Sequence, residues 1–126
     1  MSHFTTLRTQ FRDIEAVKAA CEELGLSVVA NGAARGWNGN TRKGQFVIRL
    51  KGPYDVAVNM QKDGTLAMDT DWYAGHVEKE LGLEFKKLTQ LYAVHKVTIE
   101  ARKRGQIVKR HAPNAAGKIK LVITGI

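Results

Sequence analysis

The sequence predicts an α+β fold: an antiparallel-rich sheet of six to seven strands with two helices, one of them long, packed on one face. Three observations carry this. Apolar residues alternate with polar ones at Phe46, Ile48 and Leu50, again at Tyr54, Val56, Val58 and Met60, and more briefly at Leu66 and Met68, the period of two that half-buried strands require. Two turn signals, Lys51-Gly52-Pro53 and Lys62-Asp63-Gly64, separate these runs, so neighbouring strands pair antiparallel as a meander. Two other stretches place apolar residues three and four apart, the spacing of a helix face.

In chain order, Phe4 and Leu7 among threonines over residues 3–10 read as a first strand. Asp13 is placed to cap a helix, with Glu15 in the first turn where free backbone amides favour a negative charge. Ile14, Val17, Cys21 and Leu24 form the apolar stripe of that helix, Lys18, Glu22 and Glu23 its wet face, and Gly25 its stop. Leu26 to Ala30 make a short second strand. Residues 31–44 hold four glycines and three asparagines, a composition that predicts a mobile surface loop with one packed Trp. The meander follows, with Asp55 and Asn59 on the polar side of its second strand. Asp71 is expected to cap the next helix and Trp72 to fill the gap beneath it. That helix runs from His76 to Arg104, with Leu81, Phe85, Leu88, Tyr92, His95 and Ile99 on one face and a kink or interruption at Gly82. A final hairpin pairs residues 106–110 with 118–123, setting Ile119, Leu121 and Ile123 on one side and Lys118 and Lys120 on the other. No linker or repeat divides the chain, so residues 1–126 are expected to form a single domain.

Charge is distributed unevenly. Residues 85–126 carry ten Lys or Arg against one acid, Glu100, whereas residues 1–84 carry ten bases against eleven acids; the formal +8 of the chain therefore belongs to its C-terminal third. Such a segment points to a polyanionic partner. If about five of these cations met phosphates, log affinity would fall with log salt at a slope near −4.

Other chemistry is thin. The lone Cys21 has no partner within the chain, which points to a reducing compartment, and its place on a helix face makes it a buried, inert thiol. The first ten residues show no export signal, and no apolar run approaches the roughly 20 residues of a membrane span. His3, His76, His95 and His111 are scattered and no CxxC or HxxxH spacing occurs, so no metal or other cofactor is expected. His95 is expected as a hydrogen-bonded core histidine. Neither GxxxxGK[ST] nor GxGxxG is present, and no small-molecule ligand is expected. Asp69 and Asp71, beside Trp72 and Tyr73, are a carboxylate pair, but no nucleophile or triad accompanies them and no enzymatic activity is expected. Lys43-Gly44-Gln45-Phe46-Val47 faintly resembles an RNA-recognition motif with its first aromatic missing, and Phe46 is expected in the core.

Met1-Ser2-His3-Phe4 with Thr9 and Asp13, Leu24-Gly25, Val47-Ile48 through Tyr54-Asp55-Val56, Asp71-Trp72-Tyr73 and Leu88-Thr89-Gln90-Leu91-Tyr92-Ala93 occur in an order that resembles one family across nearly the whole chain. It is the uncharacterised conserved plastid and cyanobacterial reading-frame family, a domain of unknown function found also in other bacteria and in phages. The resemblance implies a cytoplasmic protein, or a stromal one in an alga, and an accessory role beside AAA-type ATPases. The chain departs from the family in its basic C-terminal third and in ending Thr124-Gly125-Ile126.

The expected function is that of a non-enzymatic accessory or adaptor protein. It would dock an acidic protein partner through Arg102, Lys103, Arg104, Lys109, Arg110, Lys118 and Lys120. The alternative is nucleic acid on the same surface, RNA ahead of DNA because no helix-turn-helix is evident. Arg35, Trp37, Arg42 and Lys43 in the glycine-rich segment form a second candidate site.

Overall fold

The computed structural model describes residues 4–125; His3 lies outside them. Among the described residues seven strands and three α-helices follow in order: β1 (Phe4–Arg8), α1 (Ile14–Glu23), β2 (Ser27–Arg35), β3 (Thr41–Arg49), β4 (Val56–Met60), β5 (Leu66–Asp71), α2 (His76–Leu81), α3 (Lys86–Lys103), β6 (Ile107–Arg110) and β7 (Leu121–Thr124). The α+β class holds, and the strands divide between two sheets. Five form an antiparallel sheet in the order β1-β5-β4-β3-β2, while β6 and β7 pair only with each other. The chain leaves α3 on the helical side of the molecule, and contacts to α1 and α3 hold the hairpin there.

Both helical regions cover one face of the sheet. Ala16, Val17, Ala20 and Cys21 of α1 meet Ile48, Val56, Val58, Leu66 and Met68 of the strands and Leu81, Phe85, Leu88 and Tyr92 of the second helical region. Asp13 caps α1 as expected, its Oδ1 accepting the Glu15 amide at 2.9 Å. Tyr92 ties the layers together: its ring stacks on Phe11 at 4.1 Å, and its hydroxyl accepts the amides of Arg12 and Asp13.

Of the kink or interruption expected at Gly82 the structure has the interruption: α2 ends at Leu81 and α3 begins at Lys86. Gly82, Glu84 and Phe85 all take positive φ, of 83°, 53° and 62°. A Cβ at Gly82 would stand 2.7 Å from the Lys87 amide nitrogen, so the helix ends approach too closely for any other residue. Phe85 fills the space under the break, packed on Trp72 at 4.9 Å.

The glycine-rich segment is not a mobile loop. β2 continues to Arg35 and β3 begins at Thr41, leaving a tight turn at residues 36–40. Pairing skips Asn31 and Gln45 and resumes at Gly32 and Gly44. Asn31 has a φ of 52°, and the distal half of the hairpin folds over the second face of the sheet. There Ala34 is buried on Val47 and Ala57, with Phe4 packed against them. The glycines serve this close approach: a Cβ at Gly36 would lie 2.6 Å from the Phe4 ring. The polar side of the meander is therefore covered, and all six residues of β5 are buried.

Polar groups on that covered face are matched one by one. Asp55, 0% exposed, accepts from the Arg35 amide, both sides of the Arg35 guanidinium fork, Arg49 and the Leu50 amide. Asp69 bonds to Thr6 and to Arg42. Asp71 accepts the Trp37 amide at 3.0 Å and the Tyr73 amide at 2.9 Å.

Candidate functional site

Arg102 and Lys103 sit in the last turn of α3, where cations complement the exposed carbonyls. Gly105, at a φ of 73°, reverses the chain into β6. The register pairs Ile107 with Thr124, Val108 with Ile123, Lys109 with Val122 and Arg110 with Leu121. Directly opposed residues share a face, so Val108, Ile123, Arg110 and Leu121 lie on one side of the hairpin. Ile119 packs against the core. The other side carries Ile107, Lys109, Val122 and Thr124, and Lys120 follows in the same alternation.

Among the described residues Arg102, Arg104, Lys109, Lys118 and Lys120 are exposed, and no side-chain hydrogen bond or ion pair engages them. Lys103 lies loosely at 3.8 Å from Glu100. Arg110 differs from the rest. Its two terminal nitrogens meet the two oxygens of Glu23 on α1 at 2.7 and 2.9 Å. That fork, helped by His95, holds the Glu23 carboxyl down to about 2. Arg110 therefore fastens the hairpin to α1 and is withdrawn from the cationic surface. Residues 87 positions apart give no local pattern by which the sequence could have paired them.

His95 is half-buried between α1 and α3 with its Nε2 2.8 Å from Glu23 Oε1, hydrogen-bonded as expected but at the rim of the core. Ile107 is 65% exposed and Val122 38%, so the outward hairpin face interleaves bare aliphatic side chains with lysines. Charge counting alone did not reveal this.

The second candidate site is mostly structural. Arg35 belongs to Asp55 and Arg42 to Asp69. Trp37 meets Tyr73 edge-on at 6.1 Å. Of its three cations Lys43 alone is without an ion pair among the described residues, and it lines an open depression of about 580 Å³ with Gly32, Gln45 and Asn59. The Asn59 side chain accepts the Gln45 amide and donates to the Lys43 carbonyl, extending the ladder where β3 leaves β4. Phe46 is half-buried, with the Lys18 ammonium 5.1 Å above its ring. Asp69 and Asp71 anchor the folded-over hairpin through Arg42 and the Trp37 amide.

Cys21 is fully buried, and burial pushes its thiol up to about 12. Alkylation by iodoacetamide is expected to be negligible in the native protein and complete in denaturant, read by mass; rapid native labelling would contradict this packing. Among the described residues no group of three or more His, Cys, Asp or Glu is placed to hold a metal ion. No helix among them is long and apolar enough to cross a membrane.

No curated protein and no solved structure matches the chain. A family model described as a protein of unknown function, DUF1257, matches residues 20–122, from the middle of α1 to the second residue of β7. The match takes in the core of the sheet, the broken helix and the basic hairpin together, and the chain belongs to the DUF1257 family.

Proposed function

We propose that this protein is a non-enzymatic adaptor whose outward β6–β7 face and α3 C-terminus dock onto an acidic protein partner. One observation carries the reading: exposed Ile107 and Val122 alternate on that face with unpaired Lys109 and Lys120. Aliphatic side chains bordered by cations suit a protein surface of acidic and apolar residues. Single-stranded RNA is instead held by aromatic rings on which bases stack, and no Phe, Tyr or Trp follows Tyr92. AAA-type ATPase assemblies, which the family resemblance implies, are the first partners to test. The cytosol, or the plastid stroma, is the compartment we assign, since a lone buried thiol suits reducing surroundings.

A benzophenone side chain at position 122, photolysed in the native cells, tests the reading. Protein adducts are expected, with the crosslinked peptide rich in Asp and Glu. They should disappear when Arg104, Lys109, Lys118 and Lys120 are replaced by Gln. Adducts removed by ribonuclease would overturn the proposal in favour of RNA, as would tight, salt-sensitive RNA binding that the same replacements abolish.

A further inference from the structure

We infer that the cleft between α3 and β6 is an anchor pocket for one carboxylate side chain, Asp or Glu, of the docking partner. The inference rests on the docking reading above and adds where the partner is gripped: beside the α3 C-terminus, on the hairpin side of Val108 and Arg110, opposite the face that carries Ile107 and Lys109. The cleft is enclosed by Val94, His95, Thr98, Arg102, Val108 and Arg110, and its volume is about 150 Å³.

Size decides the class of occupant. Pockets that take whole small molecules begin near roughly 300 Å³, so this one admits a side chain and not a nucleotide. Its walls match an acidic side chain in both halves. Val94 and Val108 offer aliphatic surface to the stem, and Arg102 offers a guanidinium fork that no described residue occupies.

The other polar groups set the charge of the occupant. Arg110 is held by Glu23 through both terminal nitrogens, and His95 Nε2 is turned to the same carboxylate. Among the described residues Arg102 is thus the one cation of the cleft left uncompensated, which matches a single negative charge. A dianion such as a phosphomonoester would bring its second charge towards Glu23 with no cation to meet it. The negative end of α3 opposes any anion here, but that field is weak and screened beside a forked, charge-assisted bond. Ile123, opposite Val108 in the register and on the same face, is exposed, giving an aliphatic neighbour of the bound acid something to cover.

The test is an NMR titration of the isotopically labelled full chain with the peptide acetyl-Val-Glu-Val-Glu-Val-amide. A control peptide carries Gln for Glu, and an oligouridylate serves as competitor. The Val94 and Val108 methyls and the Arg102 side-chain N–H are expected to shift with the acidic peptide and not with the control. Arg102→Gln should weaken binding about tenfold, the scale of one anchor side chain, and Arg102→Lys should recover part of the loss, because charge returns without the fork. Lys109→Gln and Lys120→Gln should each change it less than about threefold, as rim charges do. If the acidic peptide binds Arg102→Gln as tightly as the parent, with shifts confined to Lys109 and Val122, the anchor pocket is overturned while the docking surface stands. Absence of peptide binding, or cleft signals that move as far with the oligouridylate, overturns the pocket as well. The crosslinking at position 122 then decides the wider reading on its own.

Discussion

Asp55→Ala is expected to be the most destabilising single replacement in this protein that leaves the backbone unobstructed. Removing one partner of a buried, multiply bonded charge typically costs roughly 3–5 kcal/mol. The lower end applies, because the Arg35 and Arg49 side chains are 50% and 37% exposed and can take up water once the carboxylate is gone. The amides of Arg35 and Leu50 are left without it. For a chain of this length a loss of ~3 kcal/mol lowers Tm by about 10–15 °C, which calorimetry would read directly; an unchanged Tm would refute the role given to Asp55.

The same group gives a pH signature. Burial is the largest influence on the Asp55 carboxyl and raises its pKa, but hydrogen bonds from the Arg35 side chain, the Arg35 and Leu50 amides and Arg49 together outweigh it. The carboxyl therefore titrates below its ordinary 3.8. A depressed folded pKa means that the stabilisation is complete above 3.8 and is lost as pH falls through the folded value. Denaturant midpoints should accordingly fall less steeply with acid in Asp55→Asn than in the parent. Parallel curves would assign the acid sensitivity elsewhere.

Gly44→Ala is the second large effect. A Cβ there would stand 2.4 Å from the Phe46 carbonyl oxygen, 3.0 Å from the Val58 nitrogen and 3.1 Å from the Ala57 Cα. All three are backbone atoms, so no side chain can rotate aside and the hairpin must lift from the sheet. Overpacking usually costs ~1–3 kcal/mol, and this site belongs at the top of that range. Gly39→Ala is the control: its φ is +78° and nothing lies within 4 Å of the added carbon, so only the left-handed backbone penalty of about 1–2 kcal/mol remains. A Gly44 variant no less stable than the Gly39 variant would mean that the hairpin does not bear closely on the sheet.

These two positions also mark where the sequence was and was not legible. Period-two alternation located β3, β4 and β5, and the spacing from Ile14 to Leu24 located α1, because those patterns report burial on one face. Asp55, which directly precedes β4, fell on the polar side of that strand run. Its burial depends on the β2–β3 hairpin folding across, a tertiary event with no signature in β4 itself. The glycines at 32, 36 and 44 carried the information, but their composition suits a loop and a crowded strand equally well. Likewise Gly82 announced an interruption, while its extent depended on Glu84 and Phe85 adopting left-handed backbone to seat Phe85 in the core. Of the candidate site, the identity of the cations was plain from the sequence. Their division into a structural Arg110, a Lys103 loosely paired with Glu100 and a remainder unpaired among the described residues was not, since Glu23 arrives from another helix.

The independence of the β6–β7 ladder from the main sheet bears on how such proteins diversify. Exposed positions that support no buried contact usually tolerate substitution within about 0.5 kcal/mol. Ile107, Lys109, Lys120 and Val122 are of this kind, whereas Arg110 and Ile119 fasten the hairpin from behind. A lineage can therefore change the front of the hairpin while the Glu23 clasp and the sheet keep the architecture unchanged. The proposed docking face and foldability are in this way inherited on separate sets of residues.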